Sequence, residues 1–189
     1  LVAEHGTVIL SEGEVDSDWF AQLRQQIGNP LRREKKGILW DYEAQLRYEL
    51  STQGFEVYSD DTFGFFRVIP FLSVNIKQEL EMLVQRKHPE GISAAIVKSS
   101  VDFFPTQAGE LNAILHILQK EGVTDFTMVA YAGNNQSEIP LLSCFYPITT
   151  KRGDPIVRTV VRARNGYVAQ HAEHEGTTDI LRQVQRGIR

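Results

Sequence analysis

Residues 93–132 constrain the fold more than any other stretch of the chain. They read as an apolar run (93–99), a second apolar run (101–106), an amphipathic run (107–121), Gly122, and a third apolar run (125–132). Ala94, Ala95, Ile96 and Val97 are small and apolar, as suits a strand covered on both faces. Thr106 stands where a helix would be capped, and Leu111, Ile114, Leu115 and Leu118 fall at helical spacing behind it. The order predicts a β-α-β unit over 93–132, with parallel strands and a right-handed crossover.

The flanking segments alternate between the same two periodicities. Residues 7–10 form a short strand-type run, and Ser17-Asp18 opens a helix over 18–27 that stops at Gly28-Asn29-Pro30. Leu39, Tyr42, Leu46 and Leu50 predict a second helix over 38–52. The runs 55–58 and 63–69 read as strands joined by the polar turn Ser59-Asp60-Asp61-Thr62. Ile76, Leu80, Leu83 and Val84 predict a helix over 73–87, which His88-Pro89-Glu90-Gly91 ends. Residues 140–148 form another apolar run. Runs 156–163 and 167–172 flank Asn165-Gly166, the strongest local hairpin signal in the chain, and a last helix is expected over 178–187. The fold class is therefore α+β with an α/β-like centre: a mixed sheet, the β-α-β unit at 93–132, a C-terminal β-hairpin at 156–172, and helices over 18–27, 38–52, 73–87, 107–121 and 178–187.

At 189 residues the chain suits a single globular unit, 1–189. A chain of this length buries about 70% of its unfolded surface and needs no disulfide or metal staple. No run approaches the ~18 apolar residues of a membrane span, so no membrane partner is expected. Cys144 is the only cysteine, which fits the cytoplasm or another reducing intracellular compartment; lying in the apolar run 141–146, it reads as a buried small hydrophobe. The start at Leu1 suggests a piece of a longer protein or a processed product.

The net charge of −4 is unevenly spread. Residues 151–189 carry eight Lys/Arg against four acids, and the first 150 carry 12 against 20. Such asymmetry points to an anionic or macromolecular partner, protein or nucleic acid, for the C-terminal part. The basic run Arg32-Arg33-Glu34-Lys35-Lys36 has no interleaved aromatic and reads as a solvated loop.

In the expected hairpin, Arg164 faces Tyr167, Arg162 faces Ala169 and Val160 faces His171. Strand alternation would then put Arg158, Arg162, Arg164, Tyr167 and His171 on one face. Guanidinium groups match phosphate and carboxylate geometry, and tyrosine can stack. The plainer reading is a solvent-facing strand with Arg158 paired to Glu173. The preferred function is a non-catalytic binding, regulatory or assembly module that uses this cationic face.

The alternative is an enzyme, a hydrolase or nuclease, with a polar site on the loops after strands 93–98 and 125–132. Its candidates are Lys98, Ser99, Asp102, Asn134 and Glu138: Ser beside Lys or Asp could serve acyl transfer, and paired carboxylates could hold Mg²⁺. No G-x-S-x-G, Walker A or G-x-G-x-x-G motif is present. A two-acids-plus-lysine nuclease pattern running from Asp60 or Asp61 to Lys98 fails at Ile96, where it requires an acid. His171-Ala172-Glu173-His174 puts two histidines on opposite faces of a strand, so no metal and no cofactor are expected. The oligomeric state is not legible.

Overall fold

Alternation of apolar and polar residues builds the first half of the molecule. The computed structural model describes residues 1–29, 34–71 and 75–187. The chain divides into two compact units, Leu1–Ile117 and Leu118–Arg189. Arg32, Arg33 and the start of the helix expected at 73 lie outside the described residues.

Unit 1 holds a four-stranded antiparallel sheet of β6 (Phe55–Tyr58), β7 (Phe66–Pro70), β8 (Ile92–Val97) and β9 (Ser100–Pro105), in the order β6-β7-β9-β8. Phe55, Val57, Phe66, Val68, Val101, Phe103 and Ile92 alternate onto one face. They are buried in a core with Leu39, Leu46 and Leu50 of α2 (Ile38–Leu50) and Leu80 and Leu83 of α3 (Ile76–Gln85). The α1 helix (Ser17–Ile27) adds Trp19, Leu23 and Ile27. Its cap is Asp16, one residue before the expected Ser17, and the Asp16 carboxylate accepts from the amides of Asp18 (3.1 Å) and Trp19 (3.0 Å). The small strands β1 (Val2–Ala3), β2 (Val8–Ser11) and β3 (Glu14–Val15) lie ahead of α1, and β4 (Gly28–Asn29) pairs with β5 (Glu34–Lys35) behind it.

The mixed α+β class and the expected helices at 18–27, 38–52, 73–87 and 107–121 stand, with α4 at Glu110–Lys120. The β-α-β unit at 93–132 does not. Residues 93–106 form an antiparallel hairpin, β8–β9, because Lys98-Ser99 makes a tight turn with Lys98 at φ 57°. The third run supplies β10 (Ala130–Ala132), which belongs to a different sheet.

That second sheet organises unit 2. It is parallel, in the order β10, β11 (Tyr146–Thr149), β12 (Tyr167–Val168), with α5 (Ile139–Cys144) and α6 (Pro155–Ala163) as the connections. Leu142, Val157 and Val161 are fully buried between them. The apolar run 140–148 is thus half helix and half strand. Cys144 ends the helix and is exposed, not buried. The final helix, α7 (Glu173–Gln185), starts five residues earlier than expected.

The C-terminal hairpin at 156–172 is replaced by a helix and a strand. Asp154 caps α6 and Pro155 takes its first turn, where the missing N–H costs nothing. Valine lowers helix propensity by no more than about 0.7 kcal/mol per residue. Burying Val157 and Val161 contributes about 1.5–3 kcal/mol each, so packing wins. Asn165, at φ 55°, does turn the chain, but as a helix stop: the Gly166 amide donates back to the Val161 carbonyl at 2.8 Å.

Candidate functional site

Parallel strands deliver their following loops to one end of the sheet. In unit 2 these are residues 133–138 after β10, 150–154 after β11 and 169–172 after β12. Asn134 joins the first two. Its side-chain oxygen accepts from the Thr149 hydroxyl (3.0 Å), the Thr150 amide (3.1 Å) and the Thr150 hydroxyl (2.9 Å), while its carbonyl accepts from the Asp154 amide (2.9 Å). A Cβ at Gly153 would run into the Thr149 hydroxyl and disturb its bond to Asn134. The third loop is tied on where the Lys151 amide donates to the His171 carbonyl at 3.4 Å.

The two carboxylates of this cluster serve the backbone. Glu138 accepts from the amides of Asn134 (2.9 Å) and Asn135 (2.8 Å) through one oxygen, and from the Tyr131 hydroxyl (3.2 Å) through the other. Asp154 accepts from the Gln136 amide group (2.9 Å) and the Ile156 amide (2.8 Å). The Gln136 hydrogen bond, then the Ile156 amide, hold its carboxyl below the usual range, so it stays ionised. Oxygen donors of this kind suit hard cations. Among the described residues, however, no group of three or more His, Cys, Asp or Glu could hold a metal ion. Lys151 is exposed and makes no ion pair among the described residues. Arg158 reaches the Lys151 carbonyl with Nη1 (3.1 Å), while its Nε is buried without a hydrogen-bond partner among the described residues.

Unit 1 carries a second polar constellation, on the sheet face opposite Val101 and Phe103. Asp102 is fully buried and receives Arg67 in two contacts, Nε to Oδ1 at 2.6 Å and Nη2 to Oδ2 at 2.7 Å. His5 Nε2 sits 2.8 Å from Oδ2. Burial pushes the Asp102 carboxyl up, but the hydrogen bonds and charges of Arg67 and His5 outweigh that and leave it lowered. His5 stacks on Phe104, with ring centroids 4.8 Å apart, and adopts φ 55°. Glu4 pins the same segment by accepting from the amides of Phe63 and Gly64, each at 2.9 Å.

The sequence candidates scatter. Asn134 and Glu138 are brought together. Lys98 and Ser99 occupy the exposed β8–β9 turn, and Asp102 is consumed by its ion pair. The cationic face dissolves: Arg158 and Arg162 are one turn apart on α6, Arg164 lies past the helix end, Tyr167 is on β12, and His171 Nδ1 sits 2.6 Å from Asp179. The sequence reading missed Thr149, Thr150, Lys151 and Asp154, as well as His5 and Arg67. Asp154-Pro155 ahead of valines at helical spacing was the available signal for the loop. His5 and Arg67 are brought to Asp102 only by the fold.

Comparisons with known proteins bear on the fold. Neither protein-family models nor curated protein sequences match the chain. Solved structures do. A sucrose-phosphatase from Synechocystis sp. PCC6803, solved with sucrose and phosphate, is similar over 96% of this chain and 71% of its own, with a TM-score of 0.65 at 16% identity. SMU.1108c from Streptococcus mutans UA159 is similar over 98% of this chain and 76% of its own, with a TM-score of 0.60 at 12% identity. A member of a phosphoryl-transfer superfamily, described for its trigonal-bipyramidal intermediate, covers 67% of this chain and 44% of its own, with a TM-score of 0.50 at 12% identity. The likeness is one of fold. The reading as a non-catalytic binding module is overturned, because the hairpin that carried it is replaced by α6 and β12. Among the described residues no helix is long and apolar enough to cross a membrane.

Proposed function

We propose that the protein is a hydrolase of phosphate esters, with the phosphoryl group held at loops 133–138 and 150–154 of unit 2. One observation carries the reading: the fold is shared across 96% of the chain with a sucrose-phosphatase. The loop chemistry supports it. Phosphoryl transfer relies on positioning and charge stabilisation more than on covalent chemistry by the protein. Lys151 offers a cation at the sheet end that makes no ion pair among the described residues, and Asn134 holds the Thr150 hydroxyl in a fixed place beside it. Glu138 and Asp154 shape the two loops by holding their amides. A sugar phosphate is the first substrate to try, in view of the sucrose and phosphate bound to the similar protein.

The test is release of inorganic phosphate from a panel of sugar phosphates that includes sucrose phosphate. The expected result is turnover of at least one member, with kcat/KM lowered about 10²-fold by Lys151→Ala and melting unchanged. No release from any member, or a Lys151→Ala variant as active as the parent, overturns the reading.

A further inference from the structure

The two edges of the unit 1 sheet are built differently. At one edge, β6 is four residues long, carries exposed Glu56, and is followed by Ser59, whose carbonyl receives Lys35 Nζ. At the other, β8 is six residues, Ile-Ser-Ala-Ala-Ile-Val, without charge, proline or bulge. Free edges with unpaired N–H and C=O groups are templates for further pairing, and chains that stay apart usually guard them with charge or proline.

The ladder parity says which groups are free. The Thr106 amide donates to the Gly91 carbonyl, and Val97 closes on Ser100 across the tight turn. Residues 93, 95 and 97 therefore face β9, and the backbone groups of Ala94 and Ile96 point outward. No other described strand pairs with them. Ile96 is 46% exposed, on the same face as buried Ile92. Glu90 and Lys98 bracket the strand; both are exposed and neither makes an ion pair among the described residues.

We infer that β8 pairs antiparallel with β8 of a second copy, about a twofold axis at Ala94. In that register Ala94 meets Ala94, and each Ile96 amide meets the Ile92 carbonyl of the other copy. Ile96 covers Ile92, and Glu90 comes within reach of Lys98, twice by symmetry. The patch is self-complementary in hydrogen bonds, apolar surface and charge, as an isologous contact requires. A slip of one residue sets outward groups against inward ones. A slip of two leaves Glu90 and Lys98 without each other. This inference is independent of the hydrolase reading.

The test is the mass in solution of the full chain by light scattering and sedimentation, over a range of loadings. The expected mass is twice the 21.4 kDa of one chain. Lys98→Glu should return it to one chain, and adding Glu90→Lys to that variant should restore the pair. Ala94→Pro, which removes an outward N–H and leaves the β9 ladder intact, should also give single chains with an unchanged circular dichroism spectrum. A monomer at every loading overturns the inference. So does a dimer indifferent to Lys98→Glu and Ala94→Pro, or one replaced by pairing with an unrelated strand-forming peptide.

Discussion

Buried Asp102 of unit 1 and the loop carboxylates of unit 2 are held in opposite ways. In unit 1, Asp102 is fully buried and depends on Arg67 and His5, two side chains that arrive from distant parts of the sequence. In unit 2, Glu138 and Asp154 lie in surface loops and depend on backbone amides within four residues of themselves, with Tyr131 and Gln136 assisting. A buried ion pair is costly to break, because the partner left behind cannot be solvated. A carboxylate bonded to amides costs less to remove, about 1 kcal/mol where it caps a helix as Asp154 does, and it sets the local shape. One arrangement concerns stability; the other suits a site that must stay accessible.

The largest expected effect tests the first half of that contrast. Arg67→Met leaves Asp102 buried with His5 alone and should cost about 3 kcal/mol, the low end for a broken buried pair because Arg67 is itself 38% exposed. Both tryptophans, Trp19 and Trp40, lie in unit 1, so fluorescence during chemical denaturation reports on that unit. A loss below half that value would mean that the pair is already solvated. Next, Gly166→Ala should cost about 1–3 kcal/mol through overpacking, because a Cβ there meets the Pro147 carbonyl. Amide exchange in α6 and β12 should quicken, and unchanged exchange would show that this turn yields freely.

Asp16→Ala removes a cap that holds two amides and should cost about 1 kcal/mol in the fluorescence transition. Asp154→Ala should shift melting less, yet lower phosphate release, since it frees the loop that holds Lys151. If Asp154→Ala destabilises as much as Arg67→Met, the contrast between the two kinds of carboxylate fails. The smallest effect is in pH. Asp102 has a lowered folded pKa, so its contribution is fully present above the unfolded carboxylate pKa of about 3.9 and is lost as pH falls through the folded value. Arg67→Met should flatten the acid limb of the unit 1 transition; an identical limb would assign acid sensitivity to other groups.

Much of the helical content was legible because each helix carries its own apolar stripe. Leu39, Leu46 and Leu50 name α2 without any tertiary knowledge, as Leu80 and Leu83 name α3. The errors fell where two local grammars coincide. Asn165-Gly166 serves both a hairpin turn and a helix stop, and the valines of 157–161 suit a strand as well as a buried helix. Lys98-Ser99 reads locally as a loop at the end of a parallel strand; at two residues, it makes an antiparallel turn. Of the candidate site, Asn134 and Glu138 were within reach because sequence neighbours bond each other there. Thr149, Thr150 and Asp154 were not, because β11 brings them to Asn134 from across a strand pairing.

By itself the sequence determined the α+β class, the positions of most helices and the apolar set that fills the unit 1 core, because periodicity is a local property that burial then selects. Which strands pair, whether a sheet is parallel, and which polar groups meet were decided by tertiary structure. Pairing joins residues far apart in the chain, and its energy depends on partners that no local pattern names.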